Sequence, residues 1–215
     1  EAAYLAADQV AGYEGASVDE VIEREVTDLR ERASRLRAHL TPEQRYLRGL
    51  FSGGTLASEA LVIWEGMLSK VLSNVAVKPS WRLADATRSE GHCAVDLGAD
   101  AFTIGRPHPM IDNQLRVERL LEEAQDPEVA VILLDVVLGY GAHPDPTSEL
   151  GPAIREAREV AAGDGRELLV VTAVTGTEED PQDLRRQVES LENAGAFVEA
   201  CNATMARLAG FIVPP

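Results

Sequence analysis

The stretch that decides the fold is Val129-Ala130-Val131-Ile132-Leu133-Leu134-Asp135-Val136-Val137-Leu138, which carries a single charge and is closed by Gly139-Tyr140-Gly141. A run this apolar, this short and this rich in β-branched residues reads as a strand buried on both faces, the setting of an inner strand in a parallel sheet. Working outward, shorter runs of the same kind stand at YLRGLF (46–51), CAVDL (93–97), ELLVVTAV (167–174) and AFVEA (196–200). Between and after them the apolar residues fall at helical spacing: from Leu56 to about Asn74, then over 110–125, 148–162, 180–195 and 202–209. Strand and helix alternate about five times, which predicts a parallel sheet with helices on both faces. The expected fold class is α/β, a flavodoxin-like three-layer domain with about five strands. The segment 76–91 is long for a loop and reads as an ordered excursion or a flap.

Ahead of this domain, residues 17–40 read as one charged helix. Ser17 and Glu20 form a capping-box pattern, Val18, Ile22, Val26, Leu29, Leu36 and Leu40 recur at helical spacing, and Thr41-Pro42 ends the run. Such a helix is a solvated connecting or docking element. The chain opens at Glu1 with EAAYLAADQVAG, which resembles the end of a helix. The expected division is therefore a helical extension over 1–44, continuing from a domain not in this chain, and an α/β domain over 45–215.

The 215 residues are 45% hydrophobic, enough for a full core. Lys and Arg number 20 against 36 Asp and Glu, a net charge of −16, which argues against nucleic acid or an anionic membrane as the main partner. A small anion remains compatible, because backbone dipoles can bind one locally. No apolar run approaches the roughly 20 residues of a membrane span. Cys93 and Cys201 make neither a disulfide framework nor a metal cluster; both read as small core residues, and the location expected is the cytoplasm.

In a doubly wound sheet, ligands bind beyond the carboxyl ends of the strands, so chemistry is expected in four loops. The first is Ser52-Gly53-Gly54-Thr55, where a helix begins: an anion cradle, or else an ordinary turn with Thr55 as N-cap. It lacks the lysine of a Walker A loop. The second runs from Gly98 to Asp112 and holds Arg106 and His108 between prolines, a fork for a carboxylate or phosphate beside a proton relay; the alternative is a structural loop capped by Asp112. The third, Gly139 to Pro146, carries His143, and Asp135 inside the preceding strand must find a buried partner. The fourth, Thr175 to Pro181, reads as a helix start with Asp180 as N-cap. No His-x-x-x-His spacing exists, so no metal site is expected.

The stretches GLFSGGTLASEA, DLGADAFTIGRPHPMID, VILLDVVLGYGAHPDP and TGTEEDPQ, in this order, resemble the carboxyl-terminal half of the FdrA family, which is similar to the α subunit of succinyl-CoA synthetase. The resemblance covers roughly residues 45 to 210. It implies a CoA-ligase domain, normally preceded by a Rossmann-like CoA-binding domain through which coenzyme A would be held. It also implies that Ser52, Gly53, Gly54 and Thr55 stand where the synthetase holds a phosphoryl group at a helix N-terminus. The synthetase's phosphohistidine loop after its fourth strand has no counterpart here: no histidine follows Val170. The place of its supporting glutamate reads Leu138-Gly139-Tyr140-Gly141.

A domain that keeps the cradle and lacks the carrier suits chemistry on a ready-made acyl phosphate. The resemblance implies transfer of an acyl or carbamoyl group to or from phosphate, with oxamate carbamoyl transfer in purine and allantoin catabolism as the specific case. Arg106, His108 and His143 would be the catalytic side chains, and the substrate a small anion. The alternatives are an acyl-CoA ligase subunit relying on a histidine elsewhere, and a non-catalytic docking or regulatory domain. Partner subunits and an oligomer are expected, and this chain alone is expected to be inactive.

Overall fold

The computed structural model describes residues 18–214; Ser17 of the capping-box pattern and the helix-like opening stretch lie outside the described residues. In chain order the elements are α1 (Val18–Arg37), β1 (Tyr46–Phe51), α2 (Gly54–Glu65), β2 (Leu72–Ser73), β3 (Cys93–Asp96), α3 (Asp100–Thr103), α4 (Gln114–Ala124), β4 (Val129–Val137), α5 (Thr147–Gly163), β5 (Leu169–Thr175), α6 (Leu184–Asn193), β6 (Phe197–Glu199) and α7 (Asn202–Ile212). The six strands form one sheet in the order β2-β3-β1-β4-β5-β6, every pair parallel. This is the flavodoxin-like α/β fold with an N-terminal helix.

β4 shows why the sheet is built around it. Alternate side chains of a strand face opposite ways. Val131 and Leu133 enter one core with Leu29 of α1, Trp64 of α2 and Met205 of α7; Ile132, Leu134 and Val136 enter the other with Leu120 of α4, Ile154 of α5 and Leu191 of α6. Both faces are apolar because both are covered, which explains the uninterrupted run in the sequence.

The sixth strand is β2. The helix expected to reach Asn74 stops at Glu65, where Gly66 caps the last turn. The chain then buries Leu68 and Val71 and lays Leu72 and Ser73 alongside Cys93 and Ala94. The long segment that follows is an ordered excursion. Trp81 and Leu83 are buried, Ser73 bridges to Arg82, and Arg119 of α4 donates to the Thr87 carbonyl at 2.6 Å and to Ser89 Oγ at 2.7 Å. Arg119 in turn pairs with Glu123 at 2.7 Å, and Glu123 with Arg48 of β1 at 2.8 Å, all three side chains buried.

The N-terminal helix is docked. Leu29 and Ala33 are buried against α7, Arg32 forks onto Glu199, and the Arg37 guanidinium donates to the carbonyls of Phe211, Ile212 and Val213 at the end of α7. Among the described residues no helix is long and apolar enough to cross a membrane. Cys93 is buried as expected, whereas Cys201 is exposed just ahead of α7, because the end of the short strand β6 brings it to the rim.

Trp64 is fully buried and donates its indole N–H to the Ala206 carbonyl at 2.8 Å, so Trp64→Ala should lower stability by about 3–5 kcal/mol in urea unfolding, while Val62→Ser at the exposed side of the same helix should stay within about 0.5. His92 gives a pH test. Burial, aided by the nearby Arg48 charge, lowers its pKa from 6.5 to about 4. Between those values the unfolded chain binds the extra proton, so stability should fall as pH drops from 6.5 toward 4, and His92→Gln should show a shallower fall in urea midpoint over that window.

Candidate functional site

The site forms where the chain leaves β1 and β4, neighbouring strands whose following helices α2 and α5 depart to opposite faces of the sheet. Such a divergence leaves a crevice at the strand ends. Its floor is Asp135, which has no exposure. The carboxylate accepts from the Ser52 backbone N–H at 2.7 Å and from the Ser52 hydroxyl, and Arg116 of α4 stands 3.3 Å from Oδ1. Arg116 is itself fully buried and also donates to the carbonyls of Leu50, at 3.3 Å, and Asp135. A buried carboxylate needs partners of this kind. The Ser52 hydroxyl is therefore committed inward, and what the turn offers outward is backbone.

That backbone belongs to α2. Its N-cap is Gly53 rather than Thr55, no side chain caps it, and its first turn holds no acid. The opening N–H groups of the helix lack intrahelical partners, and the positive end of its dipole is unneutralised. Gly53 is extended (φ −164°), a conformation open to any residue, so twist does not explain the glycine. A Cβ there would meet nothing within 4 Å: Gly53 keeps the space over the turn clear. Thr55 is exposed, with its hydroxyl on the same turn.

The second loop is pressed against the first at Gly98. A Cβ on Gly98 would sit 2.5 Å from the Ser52 carbonyl oxygen and 2.5 Å from His108 Nε2. His108 Nδ1 accepts from the Met110 N–H at 3.2 Å, so the neutral ring carries its proton on Nε2, beside the cradle. His108 thus lies where the sequence placed it. Arg106 does not accompany it. Its side chain is exposed and lines a shallow depression with Thr87, Phe102, Ile104, Glu118 and Arg119, to which none of Ser52 to Thr55 contributes. Gly105 (φ +76°) turns the chain just ahead of Arg106, and Arg106 and His108, two residues apart, face different surroundings, which spacing alone does not reveal. Asp112 accepts from Gln114 N–H at 2.8 Å, one position ahead of the N-cap residue Asn113.

The third loop is clamped. The buried Gln182 carboxamide accepts from Gly139 N–H at 3.1 Å and donates to the carbonyls of Gly139 and His143 at 2.7 and 3.1 Å. His143 turns toward α5: Nδ1 accepts from Asp145 N–H at 3.0 Å and Nε2 lies 3.6 Å from Glu149. Its backbone N–H binds the Met110 carbonyl at 2.8 Å, tying the third loop to the second. In the fourth loop the cap is Asp183, not Asp180. Asp183 accepts from Arg186 N–H at 3.1 Å, while Asp180 closes a turn onto Thr177 N–H at 2.6 Å. The residues that sequence reading left in the background are Arg116 and Asp96. Arg116 offered one signal, as one of two arginines on the helix facing a strand with a lone buried acid.

Gly98→Ala should push His108 and the Ser52 turn apart. Overpacking of this size costs about 1–3 kcal/mol, and the His108 ring resonances in a proton NMR spectrum should shift while far-UV circular dichroism stays unchanged.

Comparison with known proteins agrees with this architecture. The CoA-ligase family model matches residues 50–212. Over 174 residues the chain is 45% identical to the uncharacterized protein YahF of Escherichia coli (strain K12), a match covering 81% of this chain and 34% of YahF. The chain thus spans about a third of the length of that curated relative. The matched region runs from the last two residues of β1 through α7 and holds all four strand-end loops, so the domain is an acyl-CoA-ligase domain of the succinyl-CoA-synthetase-like kind, and the chain belongs to the CoA-ligase family.

Proposed function

We propose that this domain is the oxyanion-binding part of a larger, FdrA-type enzyme that moves an acyl or carbamoyl group to or from phosphate without a phosphohistidine of its own. The observation that carries this reading is the uncapped N-terminus of α2, kept clear by Gly53, in the crevice between β1 and β4. The backbone N–H groups that open α2 and the Thr55 hydroxyl hold the phosphate oxygens. When the acyl–oxygen bond of an acyl phosphate breaks, the negative charge left on phosphate meets donors already in place. His108 Nε2–H points a further donor at the reacting carbonyl. Arg106, exposed and without an ion-pair partner among the described residues, is left to grip a carboxylate presented from outside this chain. We assign His143 to fixing its loop through Glu149 and Met110.

The family implies coenzyme A as a substrate. The described turn fits the phosphoryl end of that chemistry, and we assign the holding of coenzyme A to protein outside this chain, as we do the division into a 1–44 extension and a 45–215 domain. A cytoplasmic oligomer with partner subunits completes the reading, and this chain alone is expected to show no turnover. The second reading, an acyl-CoA ligase with its phosphohistidine elsewhere, is favoured by the family match itself.

Two measurements separate these. Full-length protein incubated with radiolabelled ATP should remain unlabelled, and should transfer the carbamoyl group of N-carbamoyl-oxamate to phosphate, breaking the carbamoyl C–N bond to release oxamate and carbamoyl phosphate; a base-stable phosphohistidine would establish the ligase reading instead. Gly53→Val, whose side chain enters empty space, should weaken phosphate binding by more than ~10-fold in calorimetry with the melting temperature nearly unchanged. Equal binding by parent and variant would remove the cradle, and no binding of any small anion would leave a docking domain.

A further inference from the structure

Asp96, the last residue of β3, is 7% exposed. Its Oδ1 accepts from the Gly98 N–H at 2.8 Å. Its Oδ2 accepts no hydrogen bond among the described residues and lies 3.0 Å from where Gly54, the first residue of α2, would carry a Cβ. The Asn74 carboxamide pins the Asp96 backbone on both sides, accepting from its N–H at 2.9 Å and donating to its carbonyl at 2.8 Å, while the Gly98 N–H holds the carboxyl itself. One oxygen of a carboxyl more than nine-tenths buried thus stands unpartnered beside a helix N-terminus that nothing caps.

An ionised Asp96 and a bound oxyanion would be like charges a few ångströms apart in a poorly solvated crevice, an arrangement that forces one of them to take a proton. A neutral carboxyl removes the repulsion and turns Oδ2 into a donor. Resting on the reading of the Ser52–Thr55 turn as a cradle, we propose that the oxyanion enters together with one proton, held by Asp96, whose neutral carboxyl donates from Oδ2 to the bound anion. The proton comes from solvent and no covalent bond changes. The ligand class is a tetrahedral oxyanion: phosphate, an acyl phosphate or sulfate.

The charged groups around the carboxyl bear on its sign. Burial pushes Asp96 above the usual carboxylate range; the Gly98 N–H and the His108 ring pull it down, and Asp135 of β4, itself paired with Arg116 of α4, pushes it up again. The first turn of α2 adds no acid.

Sulfate is the probe, because it does not titrate between pH 5 and 8. Calorimetry of this chain with sulfate, in two buffers of different ionisation enthalpy, should show uptake of about one proton per sulfate near neutral pH and an affinity falling by up to ~10-fold per pH unit above the Asp96 pKa. Asp96→Asn should bind without proton uptake and without pH dependence, and more tightly than the parent at pH 8. His108→Gln should keep the slope of the parent. Sulfate binding by the parent with no proton uptake would overturn the proposal, as would an Asp96→Asn variant that keeps the parent's uptake or a His108→Gln variant that loses it. If Gly53→Val abolishes such uncoupled binding, the cradle stands and only the proton coupling fails. If neither parent nor Asp96→Asn binds sulfate at any pH, the cradle and the coupling fail together.

Discussion

The structure around the crevice depends on one constraint: the Asp135 carboxylate has no access to water. It lies two positions from the end of the central strand, whose other residues are all aliphatic. Its charge must be matched by donors from the protein, and those donors fix three elements at once. The Ser52 N–H and hydroxyl set where β1 ends and hence where α2 begins; Arg116 sets the depth of α4. A buried pair of this kind adds little stability over well-packed apolar residues, but losing one partner leaves a charge stranded and costs about 3–5 kcal/mol. Its value is positional: the N–H groups opening α2 are held where a ligand can reach them.

The second and third loops are also held by close packing and by hydrogen bonds to backbone groups. Gly98 permits the Ser52 carbonyl and the His108 ring to approach from two sides; Gln182 holds Gly139 and His143; and the His143 N–H to Met110 bond joins the second and third loops. Gly139, at φ +132°, adopts a conformation that a side chain would strain, which lets β4 leave the sheet at once. A second polar cluster, Arg48 with Glu123 and Arg119, plays the corresponding part beside the excursion over 76–91. The molecule thus fixes its irregular segments with a few buried guanidinium groups.

How much of this the sequence discloses varies with the physics involved. The alternation of strands and helices is legible because two covered faces leave an unmistakable run such as Val129–Leu138. β2 is not legible, since two residues carry no period and Leu72 and Ser73 are strand only because Cys93 and Ala94 lie beside them. The helix after Thr55 reads too long for a related reason: Leu68 and Val71 are buried like helical residues, although the helix has ended at Gly66. His108 is found by its position at a strand end, but Arg106, two residues earlier, faces elsewhere, because a side chain's direction in a loop is set by dihedrals that composition does not encode. Asp96 reads as one more acid in an acidic chain until the partnerless oxygen and its neighbour Gly54 are seen together.

The seating of α1 on α7 carries a consequence for how the chain acquires its structure. Arg37 binds the carbonyl of Ile212, 175 positions away, and Arg32 reaches Glu199 across 167. β1 lies between β3 and β4, so it too waits for partners made later. On a ribosome, this amphipathic helix cannot reach its seat until the last helix of the domain has left the exit tunnel. Pairings this distant in sequence are slow to close, and an apolar stripe left uncovered meanwhile is a place for chaperones or for aggregation. The seating of the domain's N-terminal helix therefore waits on the synthesis of its last one.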